Sequence, residues 1–490
     1  MSVVDDMRLF MEPRSVAIIG VSRNTSDDGS FNTLEALLDF GYPGQIYPIK
    51  PGSDEILGLR AYPSVTEAPG GIDLAVISVP RQAVLPTVRE CVEKGIRAMI
   101  VVTQGFGDAD AEGKALQAEM VQVARGAGAR IVGPNTMGVI NAFSHFSSAF
   151  VSLSKPERKL PTGFIGQSGF ATYLGLMTRP LGIPWIGAKG IDVGNACDID
   201  QADALEYLTG DSETRVIALH LEGVKDGRRF IDVASRASRL KPVLALKVGT
   251  TDCGARAVAS HTGSMVGQDQ VYDAVLRQAG IIRVGDVEEM EDLAKAFAVL
   301  PPLPGPRVAV LTPVGGLGVM AADACGQHGL ELAPLSSATM ERLRSLFPSW
   351  MSVGNPVDVW PAAFSVPYHQ VFHQVGQIVL EDPNVDAAMS VVYTAQAGYT
   401  FFEPLAELED LAARYHKPMT CFVYGPRCPE AAAGLEESGR IATYPSPVRA
   451  IRALGALWKY QVYRQRLAAS DQFSAVSSQG SASNLFLTRP

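Results

Sequence analysis

The chain has 490 residues, 47% of them apolar and 19% charged, enough for about three domains of ordinary globular composition. Its formal net charge of −9, with no local basic run, excludes a nucleic-acid partner and an anionic membrane surface, since both need a dense Lys/Arg footprint. The acidic start MSVVDDMRLFMEPRS lacks the basic residues and continuous apolar core of a signal peptide and no apolar run reaches bilayer length, while six scattered cysteines form no CxxC pair; the expectation is a cytoplasmic protein without a metal site.

Taken in chain order, short β-branched runs alternate with amphipathic stretches, the pattern of βα units on parallel sheets. Strands are predicted at 15–20, 45–50, 74–79, 98–103 and 129–133, with glycines such as Gly95 closing the helices between them. These make a first domain over 1–145. A second series, at 163–166, 185–191, 216–221, 243–248 and 281–285, makes a domain over 146–300. PPLPGP (301–306) is the clearest linker, five of its six residues being Pro or Gly. A third domain, 306–466, has strands at 307–312, 330–335, 387–393 and 419–424, closed by the helix PVRAIRALGALWKYQVYRQR. The Ser/Gln-rich end, 467–490, is expected to be disordered.

Each domain holds a strand that runs into a small-residue turn and then a helix: IIGVSRN, FIGQSGFA and VLTPVGGLGV. Such turns present backbone N–H groups at a helix start, where the dipole favours anions, although any doubly wound domain needs tight turns there. After the first turn, the second strand ends in Lys50 rather than in the Asp or Glu that binds the NAD ribose. An ammonium suits a phosphorylated nucleotide, such as coenzyme A with its ribose 3′-phosphate, and leaves NADP open. Further on, AVASHTGSMVG (257–267) sets His261 among residues no larger than threonine until Met265. This is either a surface loop of little consequence or a histidine that something bulky and anionic must approach.

The stretches SVAIIGVSR, GQIYPIKP, DLAVISVP, RIVGPNTMGVIN, GQSGFA, DVGNACDID, LHLEGVKDGRRF, KPVLALKVG, GARAVASHTGSMVG, LTPVGGLGVMAADA and SVGNPVD occur in an order that resembles the α subunit of the NDP-forming acyl-CoA synthetases (acetate–CoA ligase, ADP-forming), relatives of succinyl-CoA synthetase. The resemblance runs from about Arg14 to Leu346 and is more diffuse beyond. It implies an α/β chain with a CoA-binding Rossmann-like domain followed by two flavodoxin-like domains. It implies that His261 carries a phosphoryl group and that Glu222 faces its imidazole. For coenzyme A it implicates Gly20, Ser22, Arg23, Lys50, Ser78, Val79, Pro80, Thr103, Gln104 and Asn135. For phosphate and the acyl group it implicates Gln167, Ser168, Gly169, Gly194, Asn195, Gly315, Gly316 and Gly318. It further implies a small carboxylic acid or acyl-CoA as substrate. ATP or ADP with Mg²⁺ would sit on a partner ATP-grasp β subunit, because nothing in this chain resembles that module.

Two departures from the family pattern stand out. GPNTMG places Thr136 where relatives commonly have cysteine, and PVGGLG places Pro313 and Val314 where they have a polar and a small residue. A proline has no N–H to offer a phosphate. The competing readings are a catalytically impaired CoA-binding regulatory protein and an NADP-dependent oxidoreductase, the second without a visible hydride-transfer constellation.

Overall fold

The computed structural model describes residues 2–26, 31–151, 158–169, 185–262, 268–364, 366–396 and 403–483. The chain divides into two compact units, the first reaching Ala294 and the second starting at Lys295. Among the described residues no helix is long and apolar enough to cross a membrane.

The first unit holds two sheets. Strands β1 (Ser15–Ile19), β2 (Gln45–Ile49), β5 (Leu74–Ile77), β6 (Ala98–Val101) and β7 (Arg130–Val132) are all parallel, in the order β2-β1-β5-β6-β7, with β3 (Glu55–Ile56) and β4 (Leu59–Arg60) forming a small hairpin aside. Runs such as LAVI and AMIV are buried at every position, as strands covered on both faces must be. The second sheet uses β8 (Val139–Asn141), β9 (Phe146–Ser147), β10 (Arg158–Gly166), β11 (Trp185–Asp192), β12 (Val216–Leu221), β13 (Val243–Lys247) and β14 (Ile282–Val284), in the order β14-β13-β12-β10-β11-β8-β9. Its first five members are parallel; β8 and β9 add antiparallel strands at the β11 edge.

Three sheets were expected in three domains, yet the first two share one core. Met7, Phe10 and Met11 of the helix Val3–Met11 pack in a single apolar cluster with Val16, Val76 and Ile100 of the first sheet and Ile165, Ile191 and Leu219 of the second. Strand β8, ahead of the expected boundary at 145, already belongs to the second sheet. The two sheets are also laced by backbone. Beyond β11, the amides of Asn195, Cys197 and Ile199 donate to the carbonyls of Pro134, Gly133 and Ile131 at 2.9, 3.2 and 3.0 Å.

The second unit is built on β15 (Arg307–Thr312), β16 (Glu331–Leu332), β17 (Val357–Asp358), β18 (Ala387–Tyr393), β19 (Met419–Tyr424) and β20 (Ile441–Tyr444). They run parallel in the order β16-β15-β18-β19-β20, with β17 pairing the end of β15. Each of the three sheets therefore has the 2-1-3-4-5 succession of a doubly wound fold, in which ligands collect at the carboxyl ends of the strands beside the switch point. The closing helix runs Pro447–Ser483, past the end expected at 466. Leu467, Ala468 and Ala469 continue it with good helix formers.

Candidate functional site

At the first sheet's switch point, between β1 and β5, Gly20 has φ +88°, and a β-carbon there would lie 2.2 Å from the carbonyl oxygen of Ser78. Only glycine lets the two strand ends approach so closely. Ser22 and Arg23 follow, the Ser22 hydroxyl accepting the Asn24 N–H at 3.0 Å and the Arg23 guanidinium holding the Gly52 carbonyl at 2.8 Å. Lys50 leaves β2 with its N–H on the Tyr62 carbonyl. Ser78, Val79 and Pro80 leave β5, where the Thr103 hydroxyl donates to the Val79 carbonyl at 2.6 Å. Gln104 is exposed, and Asn135, with φ +60°, donates its N–H to the Thr103 carbonyl. All ten residues that the resemblance implicates for coenzyme A thus lie at the carboxyl side of one sheet.

The second sheet places β10 between β11 and β12, so the Gln167-Ser168-Gly169 turn after β10 has a neighbour on each side. On the β12 side stands Glu222, 4% exposed. The Gln167 side-chain oxygen accepts the N–H groups of Glu222 at 2.8 Å and of Gly223 at 3.0 Å. From the other direction the Gln201 amide donates to the Gly223 carbonyl, and the Tyr272 hydroxyl accepts the Val224 N–H, both at 3.1 Å. Buried backbone polar groups must be paired; here side chains from three elements pair them and fix the loop that carries Glu222.

On the β11 side, Gly194 takes φ +52°, and a β-carbon would fall 2.4 Å from the carbonyl oxygens of both Pro134 and Asn135. Asn195 does not point its side chain into open space for a substrate. Its amide nitrogen donates to Asp108 at 2.7 Å and Gln117 at 3.1 Å, and its oxygen accepts from Asn135 at 3.3 Å. Lys225 grips the same turn through the carbonyls of Asn195 and Ala196 at 2.8 and 2.9 Å. Burial would raise the Asp108 carboxyl, yet the bonds from Asn195 and from the amides of Gly105 and Phe106 hold it below the usual range. The expected acyl and phosphate residue is thereby a clamp between the two sheets.

His261 lies in the last turn of the helix Asp252–Thr262; its side chain and residues 263–267 are outside the described residues. Gly315, Gly316 and Gly318 open the helix Gly315–Gln327 in the second unit, whose N-cap, Val314, makes no side-chain capping bond. That leaves first-turn amides for another acceptor. A β-carbon on Gly316 would meet open space, whereas one on Gly315 would lie 3.3 Å from the Asp358 carboxylate. Among the described residues no cluster of three His, Cys, Asp or Glu side chains could hold a metal ion.

Sequence reasoning passed over Gln201, Tyr272, Lys225 and Asp108, which support the site rather than form it, and Asp192, which ends β11. An acid closing a buried strand two residues before the glycine of a Gly-Asn turn was the one available signal.

Known proteins fall into line with this architecture. A CoA binding domain model matches residues 14–142, a succinyl-CoA ligase like flavodoxin domain model matches 161–297, and a ligase-CoA domain model matches 308–467. The chain is 38% identical over 452 residues to the Pyrococcus furiosus acetate–CoA ligase [ADP-forming] II subunit alpha, covering 91% of this chain and 96% of the relative. It is 36% identical to the acetate–CoA ligase [ADP-forming] II of Archaeoglobus fulgidus, covering 93% of this chain but 67% of that longer one. Among solved structures, the dinucleotide-forming acetyl-coenzyme A synthetase 1 of Ca. Korarchaeum cryptofilum, in complex with phosphate and ADP, superposes with a TM-score of 0.84 at 33% identity, covering 95% of this chain and 99% of that one.

Proposed function

The chain belongs to the ADP-forming acetate–CoA ligase α-subunit family, and we propose that it performs the CoA-dependent half of that chemistry with His261 as its phosphoryl carrier. Phosphate attacks the carbonyl carbon of a bound acyl-CoA; the C–S bond breaks, and the sulfur leaves with a proton as free CoA. The resulting acyl phosphate is attacked at phosphorus by a neutral ring nitrogen of His261, and the P–O bond to the acyl oxygen breaks to release the carboxylate. Phosphohistidine then gives its phosphoryl group to ADP, restoring the imidazole. The reverse course makes acyl-CoA from acid, CoA and ATP. Histidine suits the task because it is nucleophilic and largely unprotonated near neutral pH.

The observation that carries this reading is the grip of the Gln167 side chain on the amides of Glu222 and Gly223. It makes the expected phosphate turn and the expected carboxylate one rigid assembly, as a site that stabilises charge in transit requires. Glu222 would hold the imidazole tautomer and offset the positive charge that develops on the ring. CoA would lie over Gly20, Lys50, Ser78 and Thr103. ADP with Mg²⁺ is assigned to an ATP-grasp partner in the cytoplasm. The α-subunit naming of the relatives supports a companion chain, as does the third of the Archaeoglobus fulgidus protein that this chain does not cover.

The test is to mix the purified chain with acetyl-CoA and phosphate. One equivalent of acetate and of CoA per chain is expected, after which release stops until a nucleotide-binding partner and ADP are added; His261→Ala should release no acetate. Continuous release by the single chain, or an unchanged equivalent from His261→Ala, would refute the proposal.

A further inference from the structure

The turn expected to take phosphate is flanked by two buried carboxyl groups, and the resemblance gives a role to Glu222 alone. The other is Asp192, the last residue of β11, 1% exposed. Its carboxylate accepts the N–H of Met137 at 2.7 Å on one oxygen and the N–H of Gly194 at 3.2 Å on the other. Its own N–H donates to the Gly138 carbonyl at 2.9 Å, and the Thr136 hydroxyl donates to its carbonyl oxygen. A β-carbon on Gly169 would lie 3.0 Å from the carboxylate and 2.3 Å from Cγ of Met137. The phosphate turn therefore rests directly on this carboxylate and on the residue it holds. Asp192 thus reaches the loop after Asn135, the Gly194 turn and the Gly169 turn.

We propose that Asp192 is a positioning residue for phosphoryl transfer, its carboxylate setting the spacing between the loop at CoA's end of the site and the phosphate turn. The inference rests on the function proposed above. A carboxylate is needed because both facing groups are N–H donors. An isosteric amide can accept only one of them and must turn its own NH₂ toward the other, leaving two donors opposed. A misplacement of this kind at a reacting centre costs rate far more than it costs binding at a distance. Desolvation also pushes this carboxyl up to about 6, against the pull of the Met137 and Gly194 amides and the Thr136 hydroxyl, with the Glu222 charge adding to the rise. Its ionisation is thus tied to the charge on the other flank of the turn.

The experiment compares the wild-type chain with Asp192→Asn. Radiolabelled phosphate and acetyl-CoA are supplied, protein-bound label is followed in time, and folded sites are counted by calorimetric titration with CoA in the same sample. The labelling rate per CoA-binding site should fall about tenfold or more, with CoA affinity unchanged within the error of the titration. The acid limb of the rate-against-pH profile should also move. A labelling rate and pH profile equal to wild type overturn the proposal. So does joint loss of CoA binding and of the thermal transition, which would mark Asp192 as a fold-holding carboxylate. Failure of the wild-type chain to take any label overturns the functional reading itself, and this inference with it.

Discussion

His220 shows how a single buried group makes stability depend on pH. It sits inside β12, 8% exposed, two residues before Glu222. Burial, with the Lys247 ammonium on the neighbouring strand as a second cause, pushes its imidazole down to about 4 from an ordinary 6.5. Above the ordinary value the ring is neutral in both folded and unfolded chains and contributes nothing. Between the two values only the unfolded chain takes up the proton, so stability falls as pH falls through that window. The loss between pH 7 and pH 5 should be about 2 kcal/mol. Thermal melts at the two pH values should show a larger drop for wild type than for His220→Gln, which cannot titrate there. Equal drops would mean that the ring is already protonated or exposed in the folded chain.

Among elements, the segment Asp192–Ile199 does most to define the site, and it shows what the sequence could and could not disclose. That DVGNACDID mattered was legible from the residues that carry the resemblance; that Asn195 is turned toward Asp108, Gln117 and Asn135 was not, because those partners lie 87, 78 and 60 positions away. The strands RVAVLT, AAMSVVY and MTCFVY read true to the residue, since a continuous apolar run between polar breaks fixes both ends. Val139–Asn141 and Phe146–Ser147 escaped notice because two- and three-residue strands carry no periodicity and exist only through pairing, the first with β11 and the second with the first. Gly194 could be picked out as a glycine in a turn, but its need for φ +52° under two carbonyls was visible only in three dimensions. Gly194→Ala should therefore cost about 2 kcal/mol through the left-handed backbone and the carbonyl contacts together. A urea unfolding midpoint equal to wild type would show that the turn can open to admit a methyl group.

For the molecule as a whole, three copies of one strand order stand in series, and the first two are fused by a shared core and by the backbone lacing from Asn195 to Ile199. On the proposed function, fusion would give coenzyme A and phosphate a common floor within one unit, so thioester cleavage and capture of the phosphoryl group would need no assembly step in between, and the proposed partner would supply the nucleotide chemistry. The most direct measurement is peptide mass spectrometry after a single turnover of the purified chain with acetyl-CoA and phosphate, worked up at alkaline pH to preserve a phosphoramidate. One added phosphoryl group is expected, on the peptide containing His261, lost on brief acid treatment and discharged when ADP and an ATP-grasp partner are added. Phosphate on any other residue, or CoA release with no modified peptide at all, would contradict it.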